Sequence, residues 1–154
     1  MTLTDNLIAP QLFEYTKMGL LNSNKAIKVT EGFIDQIGIV ARGPNQKVGK
    51  LSGGNQQKML LAMWLALKPS VLIVDEPTRG IDVGAKVEIH EILRRMAEEG
   101  MCIILISSEL PEIITMSDRI AVMHEHKFMG ILDKSDANQE KIMAMASGIS
   151  TREN

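Results

Sequence analysis

The chain has 154 residues, 45% hydrophobic, 23% charged and 3% aromatic, with a formal net charge of −2. That is one domain's length with enough apolar residues for a core, which excludes a disordered chain, while the absence of excess positive charge and of aromatic residues argues against nucleic acid as a partner. The single Cys102 excludes an internal disulfide, no apolar run reaches the length of a transmembrane helix, and Met1–Asp5 lacks the basic start of a signal peptide.

Residues 5–21 read as a helix with Asp5 as N-cap before Leu7, Ile8, Leu12 and Phe13, although Pro10 disturbs its first turns. Ser23 opens a second amphipathic helix carrying Ile27, Val29, Phe33, Ile34 and Ile37, and 41–50 is a loop. Ser52 is expected to cap a helix reaching Lys68, with Met59, Leu60, Met63, Trp64 and Leu67 on its buried side. Val71–Asp75 is a short apolar run, as in a strand covered on both faces, and Cys102–Ile106 is a second. The helix between them, residues 84–99, makes a βαβ unit and predicts parallel strands. A short helix over 109–116, a hairpin of 118–123 with 127–132, and a last helix from a capping box of Asp136 and Gln139 to about Gly148 complete the chain. Cys102 is expected to be inert packing in its buried strand, and Trp64 to be core.

Four short segments carry possible chemistry. Ser52-Gly53-Gly54 begins a helix, where unpaired N–H groups and the helix dipole favour an anion and glycines allow a phosphate close to the backbone; an ordinary N-cap after a loop explains the same residues. Asp75 and Glu76 lie where a buried strand emerges, at the sheet edge where α/β proteins place ligands. There Asp75 suits Mg²⁺ and Glu76 suits activation of a water, the simpler alternative being a solvated acidic turn. Asp82 either caps the next helix or reaches across an interface, and the two are compatible. Ser108, after the second strand, faces the same edge as Asp75 or caps the helix that follows, the second being favoured. His124 and His126 share a turn, but with no third ligand nearby an exposed polar turn explains them better. No G-x-x-x-x-G-K-[ST] phosphate loop occurs in the 154 residues.

Leu51–Lys58, Ala62–Leu65, Val71–Ala85 and Ile106–Glu112 are very similar to the second cassette of bacterial simple-sugar ABC importer ATPases, the ribose, galactose, arabinose and autoinducer-2 type. The forms LSGGNQQK, DEPTRGIDVGA and ISSELPE are each characteristic of that group, and the likeness runs over nearly the whole chain. It implies an α/β fold: an incomplete P-loop NTPase domain in which an α-helical subdomain precedes part of a parallel-sheet core, a hairpin and a C-terminal helix. Residues 1–50 would be the N-terminal part of the helical subdomain, facing a membrane permease, and 51–154 the signature helix with the Walker B, D-loop and switch half of the core. The implied cofactors are ATP and Mg²⁺. Leu51, Ser52, Gly53, Gly54, Asn55 and Gln56 would form the signature motif, contacting the γ-phosphate held by a second cassette's Walker A loop. Asp75 would be the Mg²⁺-associated carboxylate, Glu76 the general base, Asp82 the D-loop residue at the dimer interface and Ser108 the residue at the switch-loop histidine position. The implied setting is the cytoplasmic face of a bacterial inner membrane, with permease subunits, a second cassette and, indirectly, a periplasmic sugar-binding protein.

The chain departs from the pattern in three ways. Walker A and Q-loop are absent, so nucleotide binding by this chain alone is not expected. Serine at 108 implies altered catalysis, and Met1 falls mid-domain, as in a truncation, a fragment or the product of a split gene. Two rivals stand beside a sugar-importer ATPase: a catalytically inactive truncated cassette that interacts with an intact one, and a non-transport ABC ATPase acting on ribosomes or DNA, which the net charge and the NQQK form of the signature disfavour.

Overall fold

The computed structural model describes residues 1–148. They form two compact units: one of Met1–Leu72 with Pro77–Ile103, the other of Ile73–Glu76 with Ile104 onward.

In the first unit, α1 (Leu3–Ile8) begins earlier than the sequence suggests. Thr2, not Asp5, is the N-cap: its hydroxyl accepts from the Asp5 N–H (3.1 Å), and Asp5 returns the bond to the Thr2 N–H (2.8 Å). Pro10, without an N–H, ends the α-helix; a 3₁₀ segment, Ala9–Tyr15, follows, kinked at Gln11. The expected continuation to residue 21 is instead a minute hairpin, β1 (Thr16–Lys17) with β2 (Leu20–Leu21). Its two-residue turn, Met18-Gly19, has both φ angles positive (52° and 79°), the geometry that matches the twist of paired strands. Leu3, Leu7, Ile8, Tyr15 and Ala26 are buried, the last on α2 (Ser23–Ile37), which Asn22 caps. Loop 41–50 contains a 3₁₀ turn, Val48–Lys50, and leads to α3 (Gly53–Leu65).

On α3 the buried positions are Gly54, Lys58, Met59, Leu61, Ala62 and Leu65. Leu60, Trp64 and Leu67, expected in the core, are 46%, 46% and 41% exposed. The helix carries two apolar stripes, and packing against α1 and α4 (Val83–Glu98) selects the one that includes Gly54 and Ala62, with Gly54 admitting Ala85 of α4 at close range.

β3 (Val71–Asp75) and β4 (Cys102–Ile106) pair with each other. The Cys102 N–H donates to Ser70 O and the Glu76 N–H to Ile106 O, so the strands run parallel, as the βαβ pattern predicts. Burial differs from expectation: Leu72 and Val74 are buried, but Val71, Ile73, Cys102, Ile104 and Ile106 are exposed. Among the described residues this sheet is covered on one face, and Cys102 is not core.

The second unit continues with α5 (Leu110–Met116), the antiparallel hairpin β5 (Arg119–His124) and β6 (Lys127–Asp133), and α6 (Gln139–Ala146). Ile120, Val122, Ile142 and Met145 form its buried cluster. Asn138 caps α6 in place of the expected Asp136, its side chain accepting from the Lys141 N–H (2.8 Å). Glu109 occupies the N-cap position of α5, so the expected Ser108 cap is not formed.

Candidate functional site

In the first unit the site is the beginning of α3. Ser52 stands at the N-cap in extended conformation, yet its hydroxyl caps nothing. Instead Ser52 Oγ accepts from Asn55 Nδ2 (2.9 Å), while Asn55 Oδ1 accepts from the Val40 N–H (2.7 Å). Asn55 therefore fixes the serine against the chain leaving α2, and no acceptor among the described residues takes the hydroxyl proton. Gln56 Nε2 holds Leu51 O (2.9 Å), closing the entry to the helix. No intrahelical carbonyl can meet the N–H groups of Gly53, Gly54 and Asn55, so unmet donors stand where the helix dipole is positive; Gly53 is exposed, Asn55 half-buried and Gly54 buried against α4.

The two glycines are not equivalent. A Cβ on Gly53 would meet only Ile81 Cγ2 at 3.7 Å and Gly80 O at 4.0 Å, whereas a Cβ on Gly54 would lie 2.5 Å from Ala85 Cβ. Gly53 leaves the donors open; Gly54 lets α3 and α4 touch. Asp82 caps α4 by accepting from the Ala85 N–H (3.0 Å), so the residue set against Gly54 is the one that also fixes the Asp82 carboxylate.

Sequence reading missed Lys58. Its side chain is buried; Nζ donates to Gly38 O (2.7 Å) and pairs with Glu88 Oε2 (2.6 Å). Gly38, in the left-handed conformation, ends α2, so the ammonium serves a carbonyl at the helix C-terminus that would otherwise lack a partner. The available signal was spacing: Lys58 lies four residues after Gly54 and four before Ala62 on the buried stripe.

In the second unit the site is the end of β3. Asp75 is exposed and its carboxylate takes no partner among the described residues. Glu76 adopts φ +48°, uncommon for a residue with a side chain. Two bonds hold it there: its N–H donates to Ile106 O (2.8 Å), and its Oε1 accepts from the Ser108 N–H (2.8 Å). Ser107 Oγ accepts from the Glu109 N–H (3.0 Å), which shapes the turn that presents Ser108. Glu76 and Ser108 are thus brought together, with the backbone of the serine making the contact. Pro77 and Thr78, which follow in the chain, are fully buried. Among the described residues no group of three or more His, Cys, Asp or Glu side chains gathers as a metal cluster, so a cation at Asp75 would draw its other ligands from water and phosphate.

The profile of the family described as ABC transporter matches residues 2–79, half of the chain, and includes the α3 site and the end of β3. The chain belongs to the ABC transporter family. It is 46% identical over 147 residues to the ribose import ATP-binding protein RbsA of Lactococcus lactis subsp. cremoris (strain SK11), covering 96% of this chain and 30% of that protein. It is 47% identical over 148 residues to the xylose import ATP-binding protein XylG of Thermoanaerobacter pseudethanolicus, again 96% of this chain and 28–30% of such relatives. The chain therefore spans under a third of the length of these curated relatives. Its fold is that of an ABC cassette, in part: the dimeric cassette MJ0796 in a post-hydrolysis state with ADP and Pi superimposes with a TM-score of 0.72, at 22% identity, over 87% of this chain and 57% of that one.

Proposed function

We propose that this chain is part of the ATP-binding subunit of a bacterial ABC importer for a simple sugar. The observation that carries the reading is identity of 46–49% along 96% of the chain to ribose, xylose and ribose/galactose import ATP-binding proteins. Residues 1–50 are the N-terminal part of the helical subdomain facing a permease, and 51–154 the signature helix and Walker B half of the core. The place of action is the cytoplasmic membrane face; no described helix is long and apolar enough to cross a bilayer, so attachment is through the permease.

The residues suit ATP with Mg²⁺. Open N–H donors at α3 and a hydroxyl held by Asn55 match an anion, and the unpartnered Asp75 carboxylate matches a cation. When bound, MgATP would supply the transferable phosphoryl group and a cation to offset its charge, held by Asp75. Leu51–Gln56 positions donors for a phosphate gripped by a second cassette. Glu76, one oxygen fixed by Ser108, keeps its other oxygen to accept a proton from water. Asp82, fixed by its cap, addresses the partner cassette. Without a Walker A loop the chain alone binds MgATP feebly and does not turn it over.

The test pairs this chain with an intact cassette of its own transport system. ATP-dependent association is expected, and Ser52→Arg, which fills the phosphate position, is expected to abolish it. Unchanged association would make the signature assignment wrong, and calorimetry giving micromolar MgATP affinity for the isolated chain would overturn its dependence on a partner. A second reading, an inactive fragment that docks on an intact cassette, draws support from the uncovered Ile73, Ile104 and Ile106; association without any gain in turnover would favour it.

A further inference from the structure

The loop before the signature residues gathers three cations around one open concavity. Arg42, Lys47 and Lys50 line a depression of about 740 Å³ with the intervening turn. All three are exposed and, among the described residues, none is in an ion pair. The formal net charge of the chain is −2, so the concentration is local and not a general basicity. Asp5, the acid at the adjoining start of α1, is not among the lining residues, and one of its carboxylate oxygens accepts from the Thr2 N–H (2.8 Å).

The loop is also held in shape before any ligand arrives. Gln46 N–H closes a turn on Gly43 O (3.1 Å), and Arg42 N–H donates to Gln46 Oε1 (2.6 Å). Leu3 N–H donates to Gln46 O (2.9 Å), Thr4 N–H and hydroxyl both donate to Pro44 O (3.1 Å each), and Thr2 bridges Lys47. With Gln46 Oε1 and its backbone engaged, the Nε2 amide is left with two donors and no partner among the described residues. A fixed backbone, three unpaired cations and the Gln46 amide make a surface rich in donors, with the Asn45 side chain and the turn carbonyls as its neutral acceptors and no carboxylate in the lining. Guanidinium together with ammonium groups is the recognition chemistry of phosphate.

We propose that Arg42, Gln46, Lys47 and Lys50 bind a polyanionic ligand carrying phosphate groups, at a site separate from the α3 N-terminus. The ordered loop lowers the entropic cost of binding, and the charges attract the ligand over roughly a Debye length of about 8–10 Å.

Tripolyphosphate is the probe. Titration of the isotopically labelled chain is expected to move the amide resonances of residues 42–50, with affinity falling at least about fivefold as salt rises from low to well above physiological strength. The triple variant Arg42→Gln/Lys47→Gln/Lys50→Gln changes exposed side chains only and should bind at least about tenfold more weakly, with an unaltered circular dichroism spectrum. Gln46→Leu should weaken binding less, since it removes one neutral donor. Sedimentation with vesicles rich in anionic phospholipid distinguishes the sources: cosedimentation lost in the triple variant means the phosphate is a lipid headgroup, and tripolyphosphate binding without cosedimentation means a soluble phosphate ligand. Resonance shifts centred on Gly53–Asn55, equal affinity of wild type and triple variant, or no binding at low salt would each overturn the proposal. Shifts at Gly53–Asn55 would leave the signature assignment standing.

Discussion

A Cβ built on Gly54 lies 2.5 Å from the Cβ of Ala85, so the second glycine at the start of α3 is required by the first turn of α4. Two motifs 31 positions apart are thereby one packing unit, and the donors of α3 and the capped carboxylate of Asp82 are set by a single contact. Gly54→Ala should destabilise the chain by about 1–3 kcal/mol through overpacking. In the background of Ala85→Gly much of that penalty should vanish, since the helix glycine lost at 54 and the one gained at 85, about 1 kcal/mol each, roughly cancel. Urea midpoints of the two single variants and the double variant measure this coupling, and simple additivity would mean the close approach is not the cause.

Lys58 is expected to matter more for its carbonyl than for its carboxylate. Lys58→Met keeps the aliphatic stem but leaves Gly38 O without its donor (2.7 Å in the native chain), at a cost of about 1–3 kcal/mol. Glu88 is 56% exposed at its side chain, so Glu88→Gln should cost less than about 1 kcal/mol. Thermal melts of both variants decide; equal losses would assign the stability to the ion pair.

Tyr15, the only tyrosine, reports on the helical part of the first unit. Burial, and then the negative charge of Glu14, push its phenol above the ordinary value of 10.0. The folded chain holds that proton more tightly than the unfolded chain. Its contribution is therefore complete below about pH 10 and is lost as pH rises through the raised value. Absorbance at the phenolate band should titrate with a midpoint above 10.0, and Tyr15→Phe should remove this part of the alkaline loss of stability. A midpoint at or below the free value would show that the ring is solvated in solution.

The uncovered side of the β3–β4 pair should make the isolated chain associate. Ile73, Ile104 and Ile106 are 63%, 47% and 48% exposed, and two paired strands leave both outer edges open among the described residues. Concentration-dependent sedimentation with a low or broad melt is expected, and Ile104→Lys, which places a charge on that face, should shift the chain toward monomer. A sharp transition independent of concentration would mean that this face is closed in solution.

The elements that the sequence marked well are those with a single solution. The apolar runs at 71–75 and 102–106, each bounded by turn residues, could be nothing longer than strands, and the helix between them left only a parallel pairing. Where two solutions were equally apolar, packing chose. Leu60, Trp64 and Leu67 make as good a stripe as Leu61, Ala62 and Leu65, and the tertiary neighbours of α3, α1 on one side and α4 at Gly54 on another, decide between them. The hairpin at residues 16–21 escaped notice because its turn is Met18-Gly19 and not an asparagine-glycine pair. At the candidate site, Glu76 and Asp82 were legible as side chains in motifs. The bond that places Glu76 was not, because Ser108 supplies it from its backbone, which every residue but proline possesses.

The positive φ of Glu76 has a consequence for what this position contributes to folding. Glycine there would relieve a left-handed backbone costing about 1–2 kcal/mol, but would forfeit the charged bond to the Ser108 N–H, of about 1.5–3 kcal/mol, so the two nearly offset each other. Folding exerts little pull on the residue in either direction. A glutamate at this turn is accordingly not explained by the stability of the fold, and a stability measurement on Glu76→Gly should find it close to neutral.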